Sequence, residues 1–173
     1  LSRGRAAAVA RYLPLGVPEA ARRYVQGAVL DGRVAGVTFR VKGDLWEFPF
    51  AATAPASAPA TVPAGSEFRI AARAEDVTLA YVPSEPDAAS PWPAFSRVSG
   101  ELVFERASMT IRNAQARVFG VELSRVNGSI PDLAQPLLHI EGQARGPVAD
   151  MLRYVNLTPV AGWLGDALRE ASV

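Results

Sequence analysis

The chain has 173 residues, 49% of them apolar and 20% charged, which suits one globular domain with room for a core. Its 18 basic and 17 acidic residues leave a formal charge of +1, so there is no basic footprint for nucleic acid, and no run approaches the roughly 20 apolar residues needed to cross a bilayer. The absence of cysteine excludes a disulfide framework, a thiol nucleophile and a cysteine metal site, and leaves the redox compartment open.

The first predicted element is a helix. Pro18 suits its first turn, Glu19 its positive end, and Ala21, Tyr24, Val25, Ala28 and Val29 recur at helical spacing before Asp31-Gly32, which is expected to stop it. Gly32-Arg33-Val34 then opens the first strand, where Val37, Phe39 and Val41 alternate with Thr38, Arg40 and Lys42. The tract Ala51 to Gly65 is almost entirely Ala, Pro, Thr and Ser and reads as a mobile surface loop. Alternation resumes at Phe68-Ile70-Ala72. Glu75-Asp76 reads as a turn into the strand Val77-Leu79-Tyr81, and a second proline-rich loop follows from Pro83 to Pro93. Leu102-Phe104, Met109-Ile111, Val121-Leu123 and Leu138-Ile140 continue the period of two. Ser99-Gly100, Asn113, Asn127-Gly128 and Pro131-Asp132 between the runs are read as hairpin turns. Near the C-terminus Val148, Met151, Leu152 and Val155 form a helical stripe, Pro159 interrupts it, and Val160, Trp163, Leu164, Ala167 and Leu168 start another.

Period two with one wet face points to antiparallel pairing. The expected fold is mainly β (α+β): a curled antiparallel sheet over residues 33–146 forming an open apolar groove. Amphipathic helices at both ends occupy 1–32 and 147–173 of one domain. The chain opens at Leu1 and stops at Val173 inside an amphipathic segment, which reads as an internal fragment of a longer protein.

No constellation for chemistry is present. His139 is the single histidine and falls on the polar side of its strand between Leu138 and Ile140, so a serine triad or histidine metal site would have to rest on one residue. Glu101 and Glu105 share a side, opposite Leu102 and Phe104, and read as a solvated strand face, not as a paired acid and base. Neither a Gly-x-Ser-x-Gly turn nor a glycine-rich phosphate loop occurs. The expectation is no enzyme, no metal and no cofactor.

A series of short words marks the chain: Arg11-Tyr12-Leu13-Pro14, Gly32-Arg33-Val34, Phe48-Pro49-Phe50, Phe68-Arg69-Ile70, Trp92-Pro93-Ala94, Leu102-Val103-Phe104, Ile130-Pro131-Asp132, and Tyr154 followed by Thr158-Pro159. In that order and spacing, from Arg11 to Pro159, they resemble the central region of YhdP-like proteins, a branch of the AsmA-like family with a DUF3971 domain. Two departures stand out: Ala51–Gly65 looks like an insertion after Phe-Pro-Phe, and the final helix breaks off where the family continues into further strands.

The resemblance implies a bridge-like lipid transfer protein. Such a protein is anchored by a helix in the inner membrane and runs a long curled sheet through the periplasm, whose apolar groove shields phospholipid acyl chains on the way to the outer membrane. The chain would then be a periplasmic stretch of that groove, with acyl chains as its partners and no nucleic acid. The lining expected from parity is Val37, Phe39, Val41, Phe68, Ile70, Val77, Leu79, Tyr81, Leu102, Phe104, Met109, Ile111, Val121, Leu123, Leu138 and Ile140. A one-residue bulge in any strand would invert its parity. A closed β-sandwich acting as a scaffolding module gives the same alternation, with two sheets covering each other and no ligand cavity. An enzyme of unrecognised type and an outer-membrane barrel fit less well, the latter because aromatic girdles are missing. Open strand edges would permit self-association.

Overall fold

The computed structural model describes residues 3–12, 19–44, 66–84, 88–133 and 135–163. The Phe48-Pro49-Phe50 word, the Ala51–Gly65 tract and the apolar positions Leu164, Ala167 and Leu168 lie outside the described residues. Seven strands pair in chain order: β1 (Arg3–Arg5), β2 (Val29–Lys42), β3 (Glu67–Leu79), β4 (Phe95–Glu105), β5 (Ser108–Val118), β6 (Val121–Ile130) and β7 (His139–Arg145). Every neighbouring pair is antiparallel. β1 and β7 are the outer strands and do not meet, so the sheet is open. A 3₁₀ segment (Ala6–Tyr12) and helix α1 (Glu19–Ala28) precede β2, while α2 (Val148–Leu157) and α3 (Val160–Trp163) follow β7. The mainly β, antiparallel, unclosed architecture matches expectation. The described residues contain one sheet, not the two that a sandwich requires.

Helix α1 begins at Glu19, whose carboxylate meets Arg23 one turn on at 3.7 Å. It ends three residues earlier than Asp31-Gly32 suggests, because β2 starts at Val29 and carries that pair inside it. Gly32 sits at φ +116, and a Cβ there would lie 2.5 Å from Val77 Cα. Close strand approach therefore demands glycine at 32, where the sequence pattern suggested a turn. The Ala80 amide donates to the Ala28 carbonyl at 2.7 Å, carrying the β2–β3 pairing onto the end of the helix. The sheet thus reaches N-terminal of residue 33, through β1 and the first residues of β2.

Five successive strands each hold an extra, bulged residue inside the strand: Gly36 in β2, Asp76 in β3, Arg97 in β4, Asn113 in β5 and Arg125 in β6. All five are left-handed, with φ between +47 and +59. Each bulge bends its strand and increases its local twist.

These bulges correct the reading of the turns. Glu75-Asp76, Ser99-Gly100, Asn113 and Asn127-Gly128 all lie within strands, and the runs on either side of them join into long bulged strands. The residues that make turns make bulges for the same reasons: Asp and Asn tolerate positive φ, and short polar side chains bond nearby backbone. The Asp76 amide donates to Ser99 Oγ at 3.3 Å, and the Asn113 amide to Asn127 Oδ1 at 3.0 Å. Ser99 and Asn127 thereby capture the amides that the bulges remove from the ladder. Arg106-Ala107 and Phe119-Gly120, two-residue turns with the first residue at φ +50 and +52, reverse the chain instead.

Candidate functional site

Ladder partners face the same side of a sheet, so the register fixes which side chains gather. Across β3 to β6, Ile70, Phe104, Met109 and Ile130 form one row, with Phe39 of β2 at its start. Ala72, Leu102, Ile111, Gly128 and Ile140 form the next, and Val41 stands opposite Phe68. Beyond the bulges the face continues. Ala74 and Val77 pair with Gly100 and Val98, which lie two apart in unbulged chain, so both face the same way although three residues separate them. The same construction through β5 and β6 carries Ala114, Ala116, Val118, Val126, Leu123 and Val121 onto this face.

Every expected lining residue within a strand therefore lies on one face: Val37, Phe39, Val41, Phe68, Ile70, Val77, Leu79, Leu102, Phe104, Met109, Ile111, Val121, Leu123 and Ile140. Leu138 stands immediately before β7 and Tyr81 two residues beyond β3. The apolar pattern switches between odd and even positions at each bulge, and the bulge reverses parity at that point, so the face stays whole. Sequence reasoning missed Val34, Phe95, Val98, Val118, Val126 and Ile130, which share it. Their signal was the parity switch itself, since each lies beside a bulge, a turn or a strand end.

Burial changes along the face. Val77, Val118 and Val121 are at most 5% exposed, whereas Phe39 is 78% and Ile140 59% exposed. At the buried end α2 touches the β5–β6 turn, where Arg153 lies 4.4 Å over the Phe119 ring, and the β3–β4 connection, where Tyr154 Oη meets Tyr81 Oη at 2.5 Å. Tyr81 stacks on Phe95 with centroids 4.7 Å apart and meets Trp92 edge-on, and Trp92 in turn contacts Trp163. Tyr24 of α1 donates to the Tyr81 carbonyl at 2.9 Å. Burial, reinforced by the Tyr154 hydrogen bond, raises the Tyr81 phenol well above its ordinary pKa.

The other face is polar and cross-linked. Arg33 and Glu75, Arg40 and Glu67, Arg69 and Glu105, Arg112 and Glu101, and Arg117 and Glu122 form ion pairs from strand to strand. Glu101 and Glu105, the carboxylates that could imitate an acid–base pair, are each engaged by an arginine. Val103 lies between them at 2% exposure, flanked in register by Ala71 and Thr110. His139 is exposed on this face opposite Ser129. Among the described residues no three metal-binding side chains cluster and no helix is long and apolar enough to cross a membrane.

An open sheet with one continuous apolar face and a cross-linked polar back, approached by helices at one end, belongs to the class of one-sided sheet proteins that offer a continuous apolar surface. The model of the YhdP protein family matches residues 1–173, and the chain belongs to that family. It is 24% identical over 147 residues to the intermembrane phospholipid transporter YhdP of Escherichia coli (strain K12), a match covering 85% of this chain and 10% of that relative. The chain thus spans about a tenth of the length of the curated relative it matches. No solved structure matches it.

Proposed function

We propose that this chain forms one stretch of a conduit carrying phospholipid between two membranes, with the acyl chains lying along the apolar face. The observation that carries the reading is the continuity of that face through five bulges, from Phe39 in β2 to Ile140 in β7. Family membership and the name of the Escherichia coli relative support it. Acyl chains leaving water for Val, Leu, Ile and Phe gain about 0.8 kcal/mol per methylene without a preferred register, so they can slide. Curling by the bulge band turns the face into a groove, and strands on either side in a longer protein extend it. The setting is the periplasm, with an inner-membrane anchor elsewhere in the whole protein.

The test places a photo-crosslinking amino acid at Phe39 or Ile140 on the apolar face, and at Thr38 or Glu141 on the polar face, in the full-length protein in cells. Phospholipid adducts are expected at the first two positions and not at the second two. Equal labelling of both faces, or none at Phe39 and Ile140, removes the conduit.

A further inference from the structure

The polar face is neutralised unevenly. Around β2, β3 and the turn-proximal half of β4, arginines meet glutamates across the ladder. Towards the β5–β6 turn a cleft of about 750 Å³ opens on the same face, and arginines from four strands line it: Arg97 of β4, Arg117 of β5, Arg125 of β6 and Arg145 of β7. Among the described residues Glu122 is the one carboxylate in its wall, and it pairs with Arg117. Arg97, Arg125 and Arg145 make no ion pair among the described residues.

Two of these arginines occupy bulges. Gly36, Asp76 and Asn113 are residue types that accept positive φ, but Arg97 and Arg125 are held at +52 and +51, where a long side chain pays in backbone strain. Both of these positions line the same cleft. Gln115 and Gln143 add neutral amide donors to its wall.

We infer that this cleft binds a phosphate-bearing anion, held by the guanidinium forks of Arg97, Arg125 and Arg145. Arginine presents paired donors matched to phosphate oxygens, and three such groups with one neutralised pair leave the wall strongly cationic. The cleft lies across the sheet from the apolar face, so it is a separate site from the acyl surface and stands whether or not that surface carries lipid.

The experiment titrates the full chain with inorganic pyrophosphate, and separately with phosphatidylcholine vesicles with or without phosphatidylglycerol, following thermal melting in parallel. Arg97→Gly with Arg125→Gly should melt no lower than wild type in the absence of ligand, because glycine suits both bulges, yet bind at least tenfold more weakly. Arg97→Gln with Arg125→Gln, which leaves the backbone demand unchanged, should lose binding to the same extent. Binding of pyrophosphate that both variants lose assigns the site to phosphate itself. Binding confined to phosphatidylglycerol vesicles and lost in both variants assigns it to a lipid headgroup. Absence of binding to either probe, or binding that both variants retain, overturns the inference.

Discussion

Ile111 and Ala114 are three residues apart in β5 and point to the same side of the sheet, because Asn113 between them bulges at φ +47 with its amide held by Asn127 Oδ1. Asn113→Gly should leave stability within about 0.5 kcal/mol of wild type, since glycine needs no side chain to reach this conformation. Asn113→Val should cost roughly 1–3 kcal/mol, because a β-branched residue is strained there. Urea denaturation of the two variants separates these outcomes, and equal stability of both would mean that the bulge is not held in solution.

The covered and open ends of the apolar face should respond differently to charge. Val121→Asp puts an unpaired carboxylate at a position only 4% exposed and should cost on the order of 3–5 kcal/mol. Phe39→Asp at the open end should change stability by less than about 1 kcal/mol. It should also reduce lipid crosslinking at Ile140, in the neighbouring row of the same face, if acyl chains occupy that face. Matched denaturation curves check the first contrast; crosslinking checks the second.

On the polar face, the buried apolar residue should outweigh the ion pairs around it. Val103→Ala removes two carbons from a site that is 2% exposed and should cost roughly 2 kcal/mol. The Arg69–Glu105 pair, at 3.0 Å and well solvated, should show a coupling of about 0.2–1 kcal/mol in a double-mutant cycle and weaken with salt. A salt-insensitive coupling larger than the Val103 effect would reverse this ranking.

The Tyr81–Tyr154 contact predicts an alkaline signature. Because burial and the hydrogen bond raise the folded-state pKa of Tyr81 above its unfolded value near 10, the stabilisation is complete below pH 10. It declines above that, where the unfolded chain ionises this phenol and the folded chain keeps it neutral. Tyr81→Phe should flatten the fall in stability between about pH 10 and 11.5, as read by denaturation at stepped pH. A slope unchanged in the variant would show that other groups cause it.

The sheet, its antiparallel sense and the side chains on its apolar face were legible because alternation survives in each half-strand. Phe68-Ile70-Ala72 and Val77-Leu79 each read correctly as apolar on one side. What could not be read was that Glu75-Asp76 joins these runs instead of separating them. Asp, Asn and Gly accept left-handed backbone, and Asp, Asn and Ser bond backbone locally, in a turn and in a bulge alike, so only the partner strand decides between them. The reversals that do occur were hidden for the converse reason, since neither Arg106 nor Phe119 is a residue type that announces positive φ. The basic cleft was equally hidden: Arg97, Arg117, Arg125 and Arg145 are scattered in sequence, and a ladder of staggered registers is needed to bring them to one end of one face.

The five bulges also bear on how strands stay aligned. A slip of one residue is forbidden wherever one face is apolar and the other charged, but a slip of two restores both faces, so the hydrophobic pattern alone tolerates it. Here a two-residue slip of β5 against β6 would set Asn113 away from Asn127 and bring a bulged position against regular ladder. Bulges in neighbouring strands therefore act as teeth that mesh in one setting, and a sheet with no closing strand to fix its order keeps its alignment through them.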